Sequence, residues 1–141
     1  MASAVKFQAF VEHVAEKVHN LGADTLKILL SNDAPSASAD AVKADLTSEL
    51  GTANGYTSGG SAVTITASAQ SAGTYALQGS DLVFTASGGT IGPFRYAVLY
   101  NDTPTSPADP LIQYWDYGSG ITLQDGETFT VDFGTNILTL A

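Results

Sequence analysis

The side chains of this sequence that could do chemistry are two histidines, fourteen carboxylates and a run of aromatic residues in the C-terminal half. His13 and His19 lie six positions apart in a segment of helical periodicity. Ligands on one helical face recur at three or four positions, so this pair is badly spaced for one metal ion and reads as a surface or interface pair. A hydrolytic triad needs a histidine beside both nucleophile and carboxylate, and only these two histidines exist. Asp81, Asp116 and Asp125 fall near expected strand ends, but no regular run of oxygen ligands of the EF-hand kind accompanies them. Glycosidase chemistry needs two facing carboxylates, and nothing in the spacing selects such a pair. Ser87–Gly88–Gly89 leads into strand-like sequence rather than a helix with a phosphate-contacting lysine, so its glycines read as turn residues. The expectation is a protein without catalytic residues, metal or cofactor.

The aromatic residues carry more information. Tyr96, Tyr100, Tyr114, Trp115 and Tyr117 gather on either side of a loop containing Pro104, Pro107 and Pro110. Neighbours on a regular strand point to opposite faces, so Tyr114 and Trp115 are expected on opposite sides of a sheet. Either set could be core, since aromatic side chains favour strands. Alternatively one set forms an exposed platform, because Tyr and Trp dominate protein interfaces and also stack on sugar rings. Arg95 is the last basic residue of the chain and is expected to pair with a carboxylate, within the subunit or across a boundary. Arg95, Tyr96, Tyr100, Tyr114, Trp115 and Tyr117 are therefore the candidate interface residues.

These side chains need elements to position them. Val5, Phe7, Phe10, Val11, Val14, Ala15 and Val18 recur at helical spacing, predicting an amphipathic helix over Val5–Asn20 that stops at Leu21–Gly22. It is expected to lie on its own sheet, with a partner chain as the alternative. TLKILLS (Thr25–Ser31) predicts a strand buried on both faces, and Val42–Leu50 a weaker helical segment. From Ala62 the period changes to two: Val63, Ile65, Ala67 and Ala69 alternate with Thr and Ser. Further strands are expected at Gly73–Leu77, Leu82–Ala86, Phe94–Tyr100, Leu111–Tyr117, Ile121–Leu123, Thr128–Phe133 and Ile137–Leu140. On Phe94–Tyr100, regular alternation sets Phe94, Tyr96, Val98 and Tyr100 on one face. The pattern reads as a mainly β protein: a jelly-roll-like β-sandwich of about eight short strands with an N-terminal helix, an open or partly closed barrel being the alternative. One domain, 1–141, is expected, with 1–22 forming the helix and its end and 23–141 the sandwich.

Composition bounds the partners. Apolar residues make up 44% and charged residues only 13%, the reverse of a disordered chain. The net charge is -9, and Asp102, Asp109, Asp116, Asp125, Glu127 and Asp132 all follow the last basic residue. With no basic patch, neither nucleic acid nor an anionic membrane is an expected partner. The acidity either complements a basic protein or maintains solubility. Without cysteine, disulfides and thiolate chemistry are excluded. The charged residues Lys6, Glu12, Glu16 and Lys17 interrupt any signal-peptide core, so synthesis in the cytoplasm is expected.

GGTIGPFRYAVLYNDT (Gly88–Thr103) resembles a family of small structural proteins of tailed bacteriophages. DTLKILLSNDAP (Asp24–Pro35), NGYTSGG (Asn54–Gly60) and YWDYGSGITLQDGETFTVDF (Tyr114–Phe133) fit the same pattern, so the resemblance spans nearly the whole chain. It implies a capsid cement or decoration protein on the outside of the virion, a dimer or trimer that binds the major capsid protein and bridges its subunits. It brings no catalytic residues. Gly88, Gly89, Gly92 and Pro93 would fix a structural turn, and Phe94–Tyr100 would supply core and contact surface. A tail-associated protein and a carbohydrate-binding module are the alternatives.

Overall fold

The computed structural model describes residues 2–141. Its strands are β1 (Ala4–Lys6), β2 (Leu26–Ser31), β3 (Ser61–Ala62), β4 (Ile65–Ser71), β5 (Thr74–Gly79), β6 (Leu82–Thr85), β7 (Ile91–Asn101), β8 (Leu111–Leu123), β9 (Thr128–Val131) and β10 (Leu138–Leu140), with one short helix, α1 (Gln8–Ala15). They form a five-stranded sheet ordered β1-β8-β7-β2-β3, a three-stranded sheet β10-β5-β4 and the pair β6-β9. Every pairing is antiparallel. The fold is mainly β, as the period-two patterning predicts, with more strands than the sequence suggests.

The N-terminal segment corrects the expected Val5–Asn20 helix. Ala4–Lys6 instead completes the edge of the large sheet, opposite Gln113–Trp115. A sheet edge offers backbone partners that a three-residue helical start cannot match. The helix then ends early. Lys17 takes a left-handed conformation at φ 65°, its amide donates to the Val14 carbonyl, and the Val18 amide reaches back to that of His13. This is a Schellman stop with lysine at the position glycine normally fills, so no composition signal marked it. Only Phe10 of the helix is fully buried, and Val11 is 55% exposed.

β2 is buried on both faces, as its unbroken apolar sequence predicts. Leu26, Ile28 and Leu30 enter the larger core with residues from all three sheets. Leu29 faces a smaller cluster with Phe7, Val98, Tyr100 and Leu111. The expected helical segment Val42–Leu50 is only one 3-10 turn, Lys43–Asp45. The Asp45 carboxylate accepts the Ala41 and Val42 amides, ending the turn on itself. The chain then extends so that Leu46 packs on the smaller cluster and the Leu50 amide reaches the Leu30 carbonyl.

β7 and β8 are the longest strands and form one ladder with bulges. Phe94 pairs with Ile121 and Tyr96 with Asp116, so Arg95 stands opposite the whole Tyr117–Gly120 stretch. The sequence break expected at Gly118–Gly120 is this bulge, with Gly118 at φ 87°. It also reverses the expected facing of Phe94, which joins Ala97 and Leu99 in the larger core, whereas Val98 and Tyr100 enter the smaller one. The segments around Gln78–Asp81 do not pair with each other: β5 belongs with β4 and β10, and β6 with β9.

Candidate interaction surface

The bulge builds the most organised polar feature of the outer surface. Arg95 Nε donates to Asp116 Oδ1 at 2.7 Å and its Nη2 to Oδ2 at 3.0 Å, while the Gly118 amide donates to Oδ1 at 2.8 Å. One carboxylate thereby pins the bulge and orients the guanidinium, whose fork matches it in a bidentate pair. The Arg95 partner and the Gly118 amide hold the Asp116 carboxyl below the ordinary carboxylate range. The guanidinium lies 5.4 Å from the centre of the Tyr96 ring. Tyr96 packs edge-on against Tyr114 at 6.3 Å, and Tyr114 lies tilted against Phe7 at 5.3 Å.

The six candidate interface residues thus divide. Tyr96 at 6%, Tyr100 at 1% and Trp115 at 4% exposure belong to the body of the protein. Trp115 rests on Phe133 in the larger core. Tyr117 packs edge-on against Phe129 on that same side, and burial pushes its hydroxyl up to about 12. Tyr114, on the opposite face from Trp115 as strand alternation requires, stays half-buried beside Arg95 and Asp116. On the Tyr114 side, a narrow strip of Tyr114, the Tyr96 edge and the Arg95–Asp116 pair reaches solvent, while Tyr117, also half-buried, stands on the other face.

The turn residues also divide. Gly88, at φ 84°, forms a turn with Gly89, held by the Asp125 carboxylate accepting the Gly88 amide and by Asn54 donating to the Thr90 carbonyl. Gly92 and Pro93 lie inside β7 rather than in that turn, where a Cβ on Gly92 would approach the Ile121 carbonyl oxygen to 2.5 Å. Along β7, β2 pairs only with Tyr96–Asn101, so Pro93 is beyond its reach and removes no ladder bond to it.

Buried polar groups mostly fasten loops. Glu49 accepts from the Tyr56 hydroxyl at 2.8 Å and from the Gly59 amide. Tyr56 in turn accepts the Leu30 amide, and the Tyr100 hydroxyl donates to the Gly59 carbonyl. Burial raises both tyrosines far above their ordinary values, so they remain hydrogen-bond donors. Beside them is a crevice of about 200 Å³ lined by Leu29, Lys43, Leu46, Glu49 and Asp109. Lys43 lies 3.6 Å from Glu49 and over the Tyr100 ring, so its charge is already engaged.

His13 and His19 come together because the chain turns back after the Schellman stop, their rings 6.1 Å apart. The Asn101 amide donates to His19 Nδ1 at 3.0 Å and to Asp24 at 2.7 Å. His13 Nδ1 and His19 Nε2 are buried without a partner. Burial, with the nearby His13 adding to it, lowers His19 to about 4 against the opposing pull of Asp24. Among the described residues, no three histidines or carboxylates are placed to share a metal ion.

Sequence reasoning missed one surface. The alternation after Ala62 suggested a half-buried strand, yet Thr66–Ser71 of β4 is exposed on both faces. β4 is the outer strand of its sheet, and its register slips between Ile65 and Ala67, where the hairpin leaves the core. The available signal was charge: from Leu50 to Ser80 no charged residue occurs.

No family model, curated protein or solved structure matches this chain.

Proposed function

We propose that this chain is a non-enzymatic virion structural protein of a tailed bacteriophage, which binds the outer face of the capsid and stabilises the shell by bridging major capsid subunits. Its sheets would form a jelly-roll-like sandwich, and it would act as a small homo-oligomer on the capsid surface. The reading grows from the resemblance carried by Gly88–Thr103. The observation that supports it is the Tyr114–Tyr96 strip edged by the Arg95–Asp116 pair. An amphipathic ring beside an arginine fixed in advance suits recognition of a protein surface, where such residues concentrate binding energy and little side-chain entropy is lost. The crevices beside Lys43 and beside His19 are small, about 200 and 270 Å³, which favours contact area over an enclosed ligand as the mode of binding. The same face suits a tail-associated position equally in chemical terms. The sugar-binding alternative is weakened by the burial of Tyr96 and Trp115, which leaves Tyr114 and Tyr117 on opposite faces instead of in one row.

Electron microscopy of particles carrying this protein tests the reading. Density at many equivalent shell positions is the expected result, with Tyr114→Ala cutting occupancy at least tenfold, about 1.4 kcal/mol. Density restricted to the tail or one vertex would transfer the proposal to the tail, and absence from particles would end it.

A further inference from the structure

The β4–β5 hairpin presents a structural problem that one further contact would resolve. β4 has seven residues, more than any other strand with an unpaired edge. Its outer edge carries a row of backbone donors and acceptors, which proteins ordinarily guard with lysine, proline or a covering loop. ITASAQS contains neither charge nor proline, its irregularity is the slip at the Ile65 end, and the loop at Gly22 approaches only the Ser68 side chain. β4 itself, exposed along Thr66–Ser71, gains little from burial and is held by its pairing with β5, which Leu77 anchors in the larger core.

From this we infer that the edge of β4 pairs with β4 of a second copy, antiparallel about a twofold axis through Ser68, joining two three-stranded sheets into one of six strands. The charge distribution favours a second copy over another partner. Each chain carries a net charge of -9, so most approaches between copies meet like charge. The hairpin belongs to the stretch from Leu50 to Ser80, where nothing is charged. The strand is also complementary to itself. With Ser68 opposite its own copy, Ala67 faces Ala69 and Thr66 faces Gln70, pairing small with small and hydroxyl with amide. Contact through the same patch on both copies closes after two, so the assembly is a dimer and does not propagate. One strand ladder is a small interface, consistent with a micromolar Kd.

The test uses the purified full chain and stands apart from the capsid reading, since no particle is involved. Sedimentation at micromolar to tens-of-micromolar concentration is expected to give twice the 14.5 kDa chain mass. The A67K/A69K variant, which brings like charges directly opposite one another, is expected to halve that mass while keeping its near-ultraviolet circular dichroism. Because the chain has no cysteine, S68C offers an independent readout. Oxidation should convert it to a covalent dimer, whereas S38C, placed at an exposed position elsewhere, should stay monomeric. A wild-type monomer or trimer, a folded A67K/A69K variant that remains dimeric, or equal crosslinking of S68C and S38C would overturn the inference.

Discussion

At the scale of single residues, His19 shows how a side chain without catalytic use still shapes behaviour. Its Nδ1 accepts from Asn101, and that arrangement requires a neutral ring. His13 and Asp24 are the titratable groups that act on it. Because the folded value, about 4, lies below the ordinary 6.5, the stabilising contribution is complete above pH 6.5 and disappears as pH falls toward 4. Discounted for partial exposure, the loss is roughly 1–2 kcal/mol. Melting temperature should therefore fall more steeply between pH 6.5 and 4 in wild type than in H19Q. Gly60 is a second such residue. At φ 80°, a Cβ there would collide with the Ile28 carbonyl, so G60A is expected to lose roughly 3 kcal/mol or more in urea denaturation. Residue types alone revealed that Arg95 would seek a carboxylate, and Asp116 is that carboxylate. They did not reveal the Glu49–Tyr56–Gly59 network, because its members meet only when the connection between β2 and β3 folds back against Leu30 of β2.

Individual elements show where periodicity succeeds and where it fails. β2 was legible because an apolar run bounded by polar residues has few other uses. The ends of α1 were not, because Lys17 in the left-handed region and β1 on the β8 edge are decided by tertiary contacts. The facing of Phe94 was lost for a related reason: the β7–β8 register is irregular on both sides of Phe94, and nothing in FRYAVLY announces it. The helix nevertheless matters to the whole. Phe7 and Phe10 are buried in the smaller and larger clusters respectively, so F10A is expected to cost about 3–5 kcal/mol, measured by chemical denaturation. Deleting residues 1–20 should lower the melting temperature sharply; an unchanged value would make this segment a free arm.

On the scale of the molecule, the mainly β class followed from patterning, while the partition into three sheets did not, since strands adjacent in sequence pair elsewhere. The candidate strip was legible in composition, but its narrowing to Tyr114 and Arg95 depended on which face each strand turns inward. Trp115, 4% exposed, is expected to resist iodide quenching and to emit at short wavelength in the isolated protein. Net charge makes a further prediction: added salt should tighten self-association by screening two chains of charge -9. The paired β7 and β8, eleven and thirteen residues long, run roughly 35–45 Å at about 3.3 Å per residue. Tension applied along these strands loads their cross-strand bonds in shear, so many must fail together, whereas tension across them would unzip the bonds one at a time. A body built around such a pair is stiffest along a single direction, and a brace on an expanding shell would serve best with that direction lying in the plane of the shell.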